Sequence, residues 1–447
     1  MIALALLGVG LRIGYVLLTA QTPIINDGWY HHRGANLLAD GDGYISPSHP
    51  FYGDLTGKPA VPDAIHPPAW RLTLTLPSLL GLRSVVAHQL YSALIGVGTI
   101  VVVALAARKV AGPRVGVIAA ALTAVLPSFW IYERELLIET LLLLVGAVTV
   151  LVVYRYLERP STLRLVLVGA LCGLLTMTRA EQALLLPLLG LPLALGDRAL
   201  PLLHRFGRFA LCTAAFIAVV TPWFGYNLTR FDRPVPVSLG LGYTMMVSNC
   251  GPTYHGDRLG FFDARCGFRE KALRLPDRSD ADAEMREIGV RYARRHAGRL
   301  PVVVAVRELR TFGLYRPVQQ VRFHQVEKGT QAGESLAEAK RLTHEPNTGV
   351  GRFAPYLWIV SGWVTMAAAI LGGIVLHRRG VRVYPLVVIV VPVVVATALA
   401  FGQPRYRAAA EVAFVVLTAV AADEVVGRLR RNRSHAADGA GHQTIGT

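Results

Sequence analysis

Charge is scarce in this sequence. Asp, Glu, Lys and Arg together supply only 17% of the 447 residues. A soluble domain of this size carries more charge and fewer long apolar runs, which argues against a water-soluble globular protein. Acidic residues are the scarcer sign, 29 against 46 Lys and Arg. Cysteine is nearly missing, with four in the chain. No second Cys or His pair with ligand spacing accompanies them, so a Cys/His metal framework finds no support. No clear internal repeat is visible either, which weighs against a transporter assembled from repeated halves.

What fills the chain instead is apolar residues, at 53%. A spanning helix needs roughly 20 mostly apolar residues. Ten segments qualify: 1–20, 84–107, 114–131, 136–154, 163–178, 182–196, 207–225, 354–377, 383–401 and 408–427. The pair at 163–178 and 182–196 is short and interrupted by proline. Pro67 to Leu82 is apolar too, but its prolines and Arg71 suggest a helix lying at the interface. The first segment has almost no basic n-region and contains Arg12, so a retained span is expected in preference to a signal peptide.

The net charge of +17 invites a nucleic-acid reading, but its distribution does not support one. Arg108, Lys109 and Arg114 share one short connection, Arg155, Arg159 and Arg164 another, and Arg198, Arg205 and Arg208 a third. Arg378, Arg379 and Arg382 make a fourth group, and Arg428, Arg430, Arg431 and Arg433 lie in the tail. These basic loops alternate with loops that are not basic, the positive-inside pattern of a multi-pass plasma (inner) membrane protein with both termini cytoplasmic. The expected organisation is a transmembrane module over 1–225 with external loops 21–83 and 128–136. An external region over 226–353 follows, then C-terminal spans over 354–427 and a disordered tail over 428–447. Within the external region, 281–315 reads as two amphipathic helices, the second restarted by Pro301.

The external loops carry the chemistry. The first holds Asp27, Trp29, Tyr30, His31 and His32, then Tyr44, then His66-Pro67-Pro68. Asp27 can accept a proton from a hydroxyl, or it can cap the helix that follows. The second turn holds Glu133, Arg134 and Glu135, followed by Glu139. Carboxylates at the top of apolar helices are costly unless they face a polar cavity or a local ion pair. The third turn holds Arg179 and Glu181, and the last reads Gln403-Pro404-Arg405-Tyr406-Arg407. Basic residues on this side run against the charge bias; they can snorkel to lipid phosphates or hold a substrate phosphate. Cys250 and Cys266 lie in the external region, where an oxidising compartment makes a disulfide the default, whereas Cys172 and Cys212 lie in apolar spans as inert packing.

Taken in order, these features resemble the polytopic glycosyltransferases of the GT-C superfold, near the bacterial protein-mannosyltransferase-like family 39 group. The resemblance runs from Arg12 and Asp27 through Gly41-Asp42-Gly43-Tyr44, His66-Pro67-Pro68 and the acidic turn from Tyr132 to Glu139. It continues through Thr178-Arg179-Ala180-Glu181, Thr221-Pro222-Trp223, Pro234-Val235-Pro236-Val237-Ser238 and Arg405-Tyr406-Arg407. Ala180 stands where the family has proline and Tyr226 where it has arginine. The resemblance implies an all-α bundle of about ten spans that transfers a sugar, with inversion, from a polyprenyl-phosphate donor to a glycan, lipid or protein acceptor of the cell envelope. It implies Asp27 as the catalytic carboxylate with Glu135 or Glu133 as a second acid, and Arg405, Arg407 and Arg179 on the donor phosphate. Trp29, Tyr30, Tyr44, His66 and Tyr406 become substrate-binding candidates. A divalent cation, Mg or Mn, is left open, with no residue assigned to it. Membrane lipids are expected partners and nucleic acid is not. A lipid-linked sugar flippase, or a non-catalytic assembly protein of the same fold, is the alternative reading.

Overall fold

The computed structural model describes residues 2–20, 24, 26–47, 61–267, 272, 275–317 and 354–441. Among them there is no β-strand, only an isolated bridge between Ile45 and Pro62. This follows from the solvent: in hydrocarbon every backbone N–H and C=O needs an internal partner, and a helix supplies one within the segment.

The N-terminal half comprises α1 (Ile2–Leu18), α2 (Asn26–Ala39), α3 (Ala69–Leu79), α4 (Val85–Ala111), α5 (Pro113–Val125), α6 (Pro127–Arg134), α7 (Glu139–Glu158), α8 (Thr162–Thr178), α9 (Leu191–Leu195) and α10 (Leu202–Leu228). The segment after α10 contributes α11 (Gly240–Ser248), α12 (Gly251–Tyr254), α13 (Arg278–Arg295) and α14 (Leu300–Thr311). The C-terminal part contains α15 (Ala354–Arg378), α16 (Tyr384–Val387), α17 (Val390–Leu399) and α18 (Ala408–Gly441). Boundaries follow local chemistry. Ser84 caps α4 by accepting from the Ala87 N–H, and Ser161 caps α8 by accepting from Arg164. Pro127 cannot continue the hydrogen-bond ladder, and α5 and α6 meet there at 43°.

Four helices are long and apolar enough to cross a membrane, or five counting the bent α5–α6 pair. Four shorter apolar helices stand beside them: Ala3–Leu18, Thr162–Thr178, Ala180–Leu195 and Tyr384–Leu399. α18 completes the ten apolar segments, although Glu411, Asp423 and Glu424 interrupt it. α3, with 11 residues, reaches only ~16 Å, too short to cross. α18 runs on to Gly441, so residues 428–441 are helical where composition suggested disorder; the helix-favouring Arg and Ala residues extend a helix that the bundle has already nucleated.

One continuous apolar core joins α4, α5, α7, α8 and α18. α15 lies along α18, α10 along α8, and α11 along α13. Pro301 lies in the first turn of α14, after the break that ends α13, giving the helix pair the sequence suggested. Cys250 and Cys266 are disulfide-bonded, with Cα atoms 6.4 Å apart, and Cys172 and Cys212 are free and buried. The rest of the segment expected to be external, 318–353, lies outside the described residues.

Candidate active site

Chain segments far apart in sequence converge at one end of the bundle. The first turn of α2 supplies Asp27. Gly28 follows, and a Cβ there would overlap the Glu135 carbonyl oxygen, so only glycine lets α2 approach the second acidic turn this closely. The turn before α18 supplies Arg405, whose Nη1 donates to Asp27 Oδ2 at 2.6 Å and whose Nε donates to Glu139 Oε1 at 2.7 Å. Arg179, at the end of α8, donates through Nη1 to the same Glu139 oxygen at 3.0 Å and through Nε to Glu181 at 2.6 Å. Its guanidinium lies 4.6 Å from the centre of the Tyr406 ring. His66 Nε2 faces Asp27 Oδ1 at 3.6 Å. The result is a chain of alternating charge: Asp27, Arg405, Glu139, Arg179, Glu181.

Two properties make Asp27 usable. Its side chain is 21% exposed, so a solute can reach it. Burial pushes its pKa up, but Arg405 and His66 outweigh that and hold it well below the ordinary carboxylate range. Arg405 is likewise kept charged, against burial, by Glu139 and Asp27. Its Nη2 bonds to none of the described residues. His31 packs beside His66, ring centres 5.1 Å apart, with both ring nitrogens unpartnered, and burial lowers its pKa well below the usual value.

The other sequence candidates do not join this chain of charges, although the Tyr30 ring packs 5.1 Å from that of His66. Glu133 is sealed in the bundle, accepting from Arg12 Nε at 2.9 Å with both side chains 1% exposed. Arg407 turns the other way from Arg405 and donates to Glu411 at 2.7 Å. Glu135 accepts from Arg134 at 2.8 Å. Tyr30 donates to Asp63, and Tyr44 lies under Arg71 at 4.0 Å; both belong to a buried cluster in which Arg71 donates to Asp63 at 2.7 Å. Trp29 is 39% exposed at the surface. Glu139 and Asp63 had no assigned role. Glu139 carried a signal: a carboxylate in the first turn of an apolar helix must find a cation or face a cavity. Asp63 sits in a loop with no periodicity to mark it.

An all-α bundle with an ionic, partly open site at one end is consistent with the GT-C-like fold. Residues 65–226 match the family described as dolichyl-phosphate-mannose-protein mannosyltransferase. The apo oligosaccharyltransferase of Archaeoglobus fulgidus is similar in structure, with a TM-score of 0.52 and 15% identity over 97% of this chain and 51% of that one. The same organism's oligosaccharyltransferase AglB, in complex with an inhibitory peptide and a dolichol-phosphate, gives 0.51 and 16% over 98% and 51%. Its complex with Zn and sulfate gives 0.51 and 16% over 99% and 51%. The chain thus spans about half the length of these structures. No curated protein matches the sequence.

The zinc in that relative poses the question of a cation here. Arg405 already lies between Asp27 and Glu139, where a cation would draw them together. Among the described residues no third His, Cys, Asp or Glu converges with Asp27 and His66; the group that does converge, Asp232, Asp277 and Asp280, lies apart. Asp277 there caps α13 and Asp280 pairs with Arg233. With Arg405 on the carboxylate, Asp27 and His66 alone do not make up the ligand set of a divalent ion among the described residues.

Proposed function

We propose that this protein is an inverting glycosyltransferase of the plasma membrane, taking a sugar from a polyprenyl-phosphate donor and passing it to an acceptor hydroxyl outside the cytoplasm. The observation that carries the reading is the pairing of an accessible, ionised carboxylate, Asp27, with a guanidinium, Arg405, that is held in place by a second, fully buried carboxylate, Glu139. The two charges suit the two ends of one displacement. Asp27 accepts the proton as the acceptor oxygen attacks the anomeric carbon. Arg405, with Nη2 uncommitted, stabilises the charge that builds on the departing lipid phosphate. Glu139 and Arg179 act as positioning residues, fixing Arg405 against rotation. The basic loops at the opposite end support a cytoplasmic assignment for that end, which puts Asp27 outside. The dolichol-phosphate in the AglB complex and the mannosyltransferase family match support a lipid-phosphate donor.

The test is to incubate the purified protein with radiolabelled polyprenyl-phosphate sugars and membrane acceptors, with Asp27→Asn in parallel. Transfer by the native chain and its collapse in Asp27→Asn is the expected result. Binding without transfer across the panel would leave the assembly-protein reading.

A further inference from the structure

At the end of the bundle remote from Asp27, a cavity of about 470 Å³ opens among Leu157, Leu193, His377, Arg382 and Val383. The helices around it differ in length. The apolar helices Ala180–Leu195 and Tyr384–Leu399 fall in the 10–17-residue class, so neither spans more than ~26 Å of a hydrocarbon layer ~30 Å thick. They stand side by side, α17 packing on the turn Ala180–Leu184. Their neighbours are longer: α7 has 20 residues and α15 has 25. The cavity is lined by Leu157 and His377 from the last turns of α7 and α15, by 380–383 of the connection that follows, and by Leu193 and Tyr384 of the two short helices.

The charge at this rim is unevenly neutralised. Arg208 donates to Asp197 at 2.7 Å, and Arg379 to Glu424 at 2.7 Å. Arg382 and His377, which line the cavity, have no acidic partner among the described residues, and both are exposed. Tyr154 anchors the Arg382 backbone by donating to its carbonyl at 2.6 Å, which fixes where that guanidinium is rooted. A recess with apolar walls, an unpaired guanidinium and an imidazole at its mouth matches an amphiphile with an anionic head. We propose that this cavity is a binding site for an anionic phospholipid of the adjoining leaflet, its phosphate on Arg382 and His377 and its acyl chains along Leu157, Leu193 and Val383.

The experiment uses the full chain in detergent, with dioleoyl phosphatidylglycerol or dioleoyl phosphatidylcholine added at equal concentration and retained lipid counted by native mass spectrometry. The expected result is at least a threefold preference for phosphatidylglycerol. Arg382→Gln combined with His377→Gln should abolish the preference, and Arg428→Gln combined with Arg430→Gln, which lowers charge on the same side, should leave it intact. Val381→Trp fills the recess with every cation in place and should also abolish it, which covers the case in which the double variant misfolds. Equal retention of the two lipids overturns the proposal. So does an equal loss in the tail variant, since the effect would then be a general surface potential. Displacement of phosphatidylglycerol by equimolar polyprenyl phosphate overturns it as well, assigning the cavity to the donor lipid.

Discussion

Two arginine–carboxylate pairs in this molecule are chemically alike and differently placed. Arg12 and Glu133 are 1% exposed, and Arg12 also donates to the carbonyls of Thr123 and Ala124 at 3.3 and 3.2 Å. The pair clips α1 to the α5–α6 bend. Arg405 and Asp27 are 19% and 21% exposed, and the same guanidinium also holds Glu139. A pair closed off from solutes on all sides can only hold elements together. A pair with one side open and one donor uncommitted can exchange partners with a solute. Access, rather than residue type, separates a rivet from a reaction centre, and the comparison can be broken or sharpened by replacing one member at a time.

The largest effect should come from Asp27→Asn. The amide keeps the size but cannot take a proton. Sugar transfer should fall by roughly 10²- to 10⁴-fold, with a loss of stability no greater than about 1 kcal/mol from the weakened pairing with Arg405, read by a transfer assay beside a melting curve. A fully active variant would reduce Asp27 to a structural partner of Arg405.

Arg12→Leu should do the reverse. Removing one partner of a sealed pair leaves a buried charge, at a cost of about 3–5 kcal/mol. Denaturation midpoints in detergent should drop, while transfer per folded molecule stays near native. Adding Glu133→Leu should restore most of the loss, because the stranded carboxylate is then gone. If the double variant is as unstable as the single one, Arg12 acts through its carbonyl contacts and not through Glu133.

Arg405→Ala should weaken donor use by about ten- to hundredfold, the value of one charge-assisted contact of about 1.5–3 kcal/mol. It should also move a pH profile. Asp27 is depressed in the native protein, so it stays ionised through neutral pH, and the acid limb of the rate lies below the usual carboxylate value of about 4. The stability gained from its pairing is likewise present above the unfolded pKa and lost as pH falls through the folded one. Without Arg405, burial dominates and the acid limb should shift upward. An unmoved limb would show that another group sets it.

The smallest effect should be that of chelation. Because a guanidinium bridges Asp27 and Glu139, EDTA should change transfer by less than about twofold, a difference under ~0.5 kcal/mol. Loss of activity restored by Mg or Mn would mean that Arg405 swings away to admit an ion.

Much of this was readable in the chain. The spans declared themselves because apolar runs near 20 residues have few other uses, and Asp27, Arg179 and Arg405 stood out as charges at the ends of such runs. What the one-dimensional pattern could not supply was direction. Arg405 and Arg407 are two residues apart, but the 3₁₀ turn Pro404–Arg407 sends one toward Asp27 and the other toward Glu411. Glu133, Glu135 and Glu139 look equivalent in sequence. The break between α6 and α7, where Leu136 has a φ of 52°, sends them to three different arginines. Asp63 was invisible because its partners, Arg71 and Tyr30, are loop-distant and follow no period.

The bridge from Arg405 to Asp27 spans 378 positions of the chain. A membrane protein is inserted as it is made, so the N-terminal spans are in the bilayer long before that arginine leaves the ribosome. Until it arrives, Glu139 has Arg179 as its counter-charge and Asp27 has only His66 beside it, so the guanidinium that ties the start of α2 to the start of α7 is missing. The segment that delivers Arg405 therefore completes the contact between α2 and α7, and on the proposed reading a prematurely ended chain lacks the guanidinium meant for the donor phosphate.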